Sequence, residues 1–160
     1  MKYLDMINDF LNKILFFFGG IAVLLLMILA TGNVVMRIFH FPFRGTYELV
    51  SFLGAVVIAF ALGYTQKRRD HIVVDILTDR YPQLLKETVD KIASLAMTIF
   101  FTIVAWQLYV WGMKIMEGSE VSETLKIIFH PYIFMTAAGF IMLAFTTFIQ
   151  FLKTLFHEED

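Results

Sequence analysis

The chain has 160 residues, 59% of them hydrophobic, with eighteen phenylalanines, no cysteine and a formal net charge of −1; its mean hydropathy is +0.73. This composition excludes an ordinary soluble domain and reads as an integral membrane protein built from apolar helices. The near-neutral charge argues against nucleic-acid binding, which needs a basic excess, and the lack of cysteine excludes disulfides and thiolate metal sites.

Residues 14–36 carry no charge, and at 1.5 Å per residue this run spans about 34 Å, enough for a hydrocarbon core and too long for the apolar part of a signal peptide. A short turn with Pro42 follows, and residues 45–66, in which Glu48 is the one charged side chain, form a second span. Lys67, Arg68 and Arg69 close that span. They are a topology signal and are also suited to anionic phospholipid headgroups.

After Asp70, apolar Ile72, Val73, Ile76 and Leu77 alternate at helical spacing with His71, Asp75 and Thr78. This pattern predicts a short amphipathic helix over 71–80 lying along a membrane face. Pro82 then opens a long third helix reaching Met116, with its membrane part at 92–113, and Pro131 opens the fourth span, 131–152. The expected fold is an all-α membrane protein: one domain over residues 1–160, with four transmembrane helices. With four spans, Lys2, Lys13, Lys67, Arg68, Arg69, Arg80, Lys86, Lys91 and Lys153 share one side, against Arg37, Arg44, Lys114 and Lys126. The positive-inside rule therefore places both termini in the cytoplasm.

Glu48 is the natural candidate for chemistry, because a carboxylate within a span needs a partner or a function. It lies near the start of its span, at the interface, where water or Arg44 can satisfy it, which favours an interface role over ion handling. Asn33 and Gln107 are polar residues within spans, suited to helix packing. His71 and Asp75 share a helical face, but two ligands without a third nearby do not make a metal site. Ala55, Ala59 and Gly63 repeat every four residues, a smooth strip for a helix of this chain or of another subunit. Trp106, Tyr109 and Trp111 read as interfacial anchors. The long connection with Glu117, Glu120, Ser122 and Glu123 is a candidate docking loop on the periplasmic side.

None of the spans shows the mid-membrane charges or broken helices of a secondary transporter, so transport by this chain alone is not expected. His40, His71, His130 and His157 all lie at span ends or in flanks, which disfavours a haem-binding membrane anchor. A proton-coupled exporter working as a homodimer around Glu48 is the other alternative.

The order of features resembles a known family. Arg44 and Gly45 precede Glu48 at the start of the second span, the run His71 Ile72 Val73 Val74 Asp75 follows it, and Ser122 Glu123 Thr124 Leu125 precedes the fourth. Together they resemble the small membrane subunit, the small permease, of tripartite ATP-independent periplasmic (TRAP) transporters. The resemblance implies a noncatalytic subunit of the bacterial inner membrane that widens an immobile scaffold. Its partners would be a large multi-span subunit carrying the substrate and sodium sites and a periplasmic binding protein that delivers an organic acid. No cofactor is implied in this chain.

Overall fold

The computed structural model describes residues 2–68 and 83–156. Among them are four helices and no strand: α1 (Lys2–Ile38), α2 (Thr46–Arg68), α3 (Gln83–Glu117) and α4 (His130–Phe156). All four are long and apolar enough to cross a membrane. The interfacial helix expected over 71–80, with His71 and Asp75, lies outside the described residues, as does Arg69.

The helices outrun the apolar segments read from the sequence, most of all α1, which begins about three turns before residue 14. Its early turns are polar, yet they pair with α2 and α4. By length α1 reaches about 55 Å and α3 about 52 Å, both more than a hydrocarbon core requires.

Helix ends follow from local chemistry. At the end of α1 the His40 N–H bonds to the Arg37 carbonyl and the Phe41 N–H to the Met36 carbonyl, at 3.2 and 3.1 Å. His40 takes the left-handed conformation this Schellman cap requires, with φ of 65°, and Pro42 bars any continuation. The Phe43 N–H donates to Asn33 Oδ1 at 3.0 Å, so Asn33 fastens the turn instead of packing on another helix.

The end of α3 repeats the device with Ser119 N–H to Met116 and Glu120 N–H to Ile115, and Ser119, not the preceding Gly118, carries the left-handed φ of 49°. Glycine holds that conformation without the penalty of a Cβ. Ser119→Gly is therefore expected to stabilise the detergent-purified protein by about 1 kcal/mol, read as a higher thermal midpoint. A lower midpoint would contradict the cap.

The core centres on α4. It packs against α3 and α2 extensively and touches α1, which rests mainly on α2. The α2–α4 contact is the closest: Ala59 and Gly139 face each other, both buried, and a Cβ added to Gly139 would lie 2.6 Å from the Ala59 carbonyl oxygen. Gly63 sits on the same line, over the Asn12 side chain and the Leu143 backbone. Ala55 does not join them. A four-residue repeat drifts about 40° per step around a helix, so Ala55 turns out to an exposed position while the adjacent Val56 is buried, 4% exposed. On the other flank Phe16 stacks on Tyr64 at 4.5 Å between α1 and α2.

Candidate functional site

Two clusters of polar residues tie the bundle together, one at each end. The first is built on α2. Gly45, just before α2, and Glu48 and Phe52 on its first two turns lie on one side and together receive the α3–α4 connection. The Glu48 carboxylate accepts the Thr124 N–H on Oε1 at 2.6 Å and the Leu125 N–H on Oε2 at 3.1 Å. One turn further, Phe52 stacks on Phe129 and Tyr132, with centroids 5.9 and 5.0 Å away and rings within 17° of parallel.

Gly45 makes room. The Leu125 side chain lies over its Cα, where a methyl group would overlap it. The loop is itself folded back: Val121 and Ile128 form an antiparallel bridge, the Ser122 N–H bonds the Ile127 carbonyl at 2.9 Å, and the Ile127 N–H returns to Ser122 Oγ at 3.3 Å.

This geometry revises two expectations. No ion pair joins Glu48 to Arg44 among the described residues, and Arg44 is exposed. The carboxylate instead takes up orphan amides of a distant loop, which hold it better than an exposed guanidinium in water. Ser122 is not free for docking either: it is buried, 7% exposed, with its hydroxyl committed within the seat. Glu117, Glu120 and Glu123 remain exposed on the outside of the loop.

The second cluster joins the first turns of α1 to the last turns of α2 and α4. Asn12 Nδ2 donates to Asn8 Oδ1 at 3.0 Å and to Thr146 Oγ1 at 3.1 Å, and Thr146 Oγ1 lies 2.9 Å from Asn8 Oδ1. All three are buried. Beside them Gln66 and Gln150 exchange bonds, Gln66 Nε2 to Gln150 Oε1 at 2.9 Å and Gln150 Nε2 to the Gln66 carbonyl at 2.8 Å. Lys67 pairs with Asp9, and Lys153 with Asp5 at 3.2 Å, around a polar cavity of about 220 Å³. Lys67, expected with Arg68 and Arg69 as a topology signal suited to anionic headgroups, is paired with Asp9 of α1.

Sequence reasoning missed this lock. Its signal was present, since Asp5, Asn8, Asp9 and Asn12 fall at i, i+3, i+4 and i+7, which puts short polar side chains on one face of a helix. Among the described residues no three histidine or carboxylate side chains gather closely enough to hold a metal ion.

Four apolar helices, held at both ends by polar ties, define a multi-pass membrane protein. The chain belongs to the family described as the DctQ component of tripartite ATP-independent periplasmic transporters, whose model matches residues 26–157. It is a small permease component of that transporter class, and the class works with a large membrane subunit and a periplasmic binding protein. No individual curated protein matches the chain. Both Glu48 and the loop it holds fall within the matched region, whereas Asn8 and Asn12 precede it.

Proposed function

We propose that this chain is the noncatalytic scaffold subunit of its transporter. In this reading it holds the fixed part of a large multi-span subunit in place while that subunit takes up an organic acid, driven by a sodium gradient and delivered by the binding protein. The observation that carries the proposal is the double tie. Glu48 fixes the α3–α4 loop to α2 at one end, and Asn8, Asn12 and Thr146 fix α1 to α4 at the other. A bundle pinned at both ends suits a part that must stay still while its neighbour moves.

The same reading puts the chain in a bacterial inner membrane with both termini in the cytoplasm, so that the Glu48 seat and the exposed Glu117, Glu120 and Glu123 face the periplasm and the arriving binding protein. His71 and Asp75 belong to the cytoplasmic face. Anionic phospholipid would be held by Arg68 and Arg69 more than by Lys67, which Asp9 already neutralises. The exporter alternative fits less well, because a proton-carrying Glu48 would have to release two backbone amides in every cycle.

The test is uptake in cells carrying the cognate large subunit and binding protein, with and without this chain. Uptake is expected to vanish without it and to return, with unchanged substrate preference, when it is restored. Undiminished uptake in its absence would defeat the proposal, and an altered substrate preference in its variants would place the selecting site here.

A further inference from the structure

We infer that the outer face of α3 is the seam with the large membrane subunit, and that a transmembrane helix of that subunit seats along it with a polar group bonded to the Gln107 amide. The inference rests on the scaffold reading above and adds the surface through which it acts.

The inner face of α3 is accounted for. Thr98, Ala105, Gly112 and Ile115 are buried, Phe101 and Tyr109 meet Phe140 and Phe134, and α3 has no comparable contact with α1 or α2. Gln107 follows Ala105 by two residues, about 200° around the helix, and so points away from α4. It is exposed, and among the described residues its amide makes no hydrogen bond.

Its depth makes that position unfavourable. Lys114 and Glu117 mark the nearer polar end and Trp111 the aromatic belt beside it, so Gln107 lies about 6 Å deeper than Trp111, roughly 10 to 15 Å inside the charged end along the axis and about 24 Å from Lys91. Helical side chains lean toward their N-terminus, which tilts this amide away from the nearer water. Acyl chains offer it no donor or acceptor, and an unpaired amide in hydrocarbon is costly. Other polar side chains of the spans avoid the cost: Thr98, Thr102 and Thr136 return their hydroxyls to carbonyls of their own helices at 2.7 to 2.9 Å.

An independent pattern gives the occupant its shape. Ala93, Ala96, Phe100, Ile103, Gln107 and Val110 alternate at three and four residues, an a/d stripe of the kind that packs lengthwise on one other helix. Small residues open the stripe and allow close approach, and a single polar residue at an a position fixes register and partner. Beside Gln107 a shallow groove of about 300 Å³ runs past Val104, Leu108 and Trp111 to Lys114. Lipid can fill its apolar part but cannot bond to the amide. A second copy could offer a polar group too, but the family works with a large membrane subunit, which already supplies a different membrane component.

The experiment uses the chain co-expressed with its large subunit. A photo-activated cross-linking amino acid is placed at Ile103 or Val110, flanking Gln107, and at Phe17 or Leu24 on the exposed face of α1 as comparison. Illumination is expected to join the chain to the large subunit from the α3 positions, several-fold more than from α1. Gln107→Leu should lower retention of the large subunit in detergent roughly threefold, the scale of one interhelical hydrogen bond, with Gln107→Asn in between. Cross-links to the large subunit from α1 alone overturn the inference, and so does a chain-to-chain product from Ile103 or Val110. If the unmodified chain retains no large subunit at all, the scaffold reading fails first. If it is retained while α3 stays unlinked, only the seam is wrong.

Discussion

Replacing Gly139 by alanine is expected to destabilise the protein by about 1 to 3 kcal/mol, while the same replacement at Gly54 leaves it unchanged or slightly more stable. At Gly139 the new methyl would lie 2.6 to 2.7 Å from the carbonyl oxygen, carbonyl carbon and Cβ of Ala59. Most of those atoms are backbone, so no rotamer change relieves the overlap and α2 must move away from α4. That movement opens the contacts along the same line, from Phe52 against Tyr132 to Gln66 against Gln150. A Cβ on Gly54 meets nothing within 4 Å, and alanine there gains only helix propensity. Thermal unfolding of the two variants in one detergent is the measurement. Equal midpoints would contradict the close Ala59–Gly139 contact between α2 and α4.

The four helices were legible because long uncharged runs have few other structures open to them, and the prolines marked where α4 begins and α1 must stop. The line of contact on α2 was legible only in part. The Ala59 and Gly63 spacing announced a close approach, but the place of Ala55 depended on how the contact winds around the helix. Glu48 stood out as the lone charge of its span, yet its partners, Thr124 and Leu125, are 76 and 77 residues away and are backbone groups without a side-chain signature. Hydrophobic periodicity says nothing of such pairs. The lock at the other end failed to show for the opposite reason: Asn8 and Asn12 lie among charged neighbours, where the prior favours a solvated face, and only the arrival of Thr146, 134 residues beyond Asn12, reveals them as core.

The polar ties also differ in kind. Asn8, Asn12 and Thr146 are buried and bonded to one another through neutral groups, with Asn12 Oδ1 left without a partner among the described residues. The ion pairs of Lys67 and Lys153 sit at the rim, where partial exposure screens them and limits their worth. Register between α1 and α4 is therefore set by the amides, with the charges adding orientation. Both classes lie at the helix ends, and the middle of the α2–α4 seam is left to small residues in close contact.

The largest functional effect is expected from Glu48→Ala, which removes both acceptors from the loop at once. The Thr124 and Leu125 amides would be left to water, and the seat would retain only Leu125 over Gly45 and the Phe52 stack. Local opening of the loop then becomes much easier while the helices persist. Trypsin cleavage after the exposed Lys126 in the purified protein is expected to accelerate roughly tenfold or more, with the thermal midpoint of the bundle little changed. Glu48→Gln separates geometry from charge: its carbonyl oxygen can still accept one amide, but its NH₂ faces the second N–H, so its cleavage rate should fall between the other two. Uptake by the assembled transporter should follow the same order, most reduced in the alanine variant, if the seated loop is what the binding protein meets. Fast cleavage with full uptake would separate the seat from docking and confine Glu48 to holding the fold. Unchanged cleavage in Glu48→Ala would mean that the stacked rings alone hold the loop.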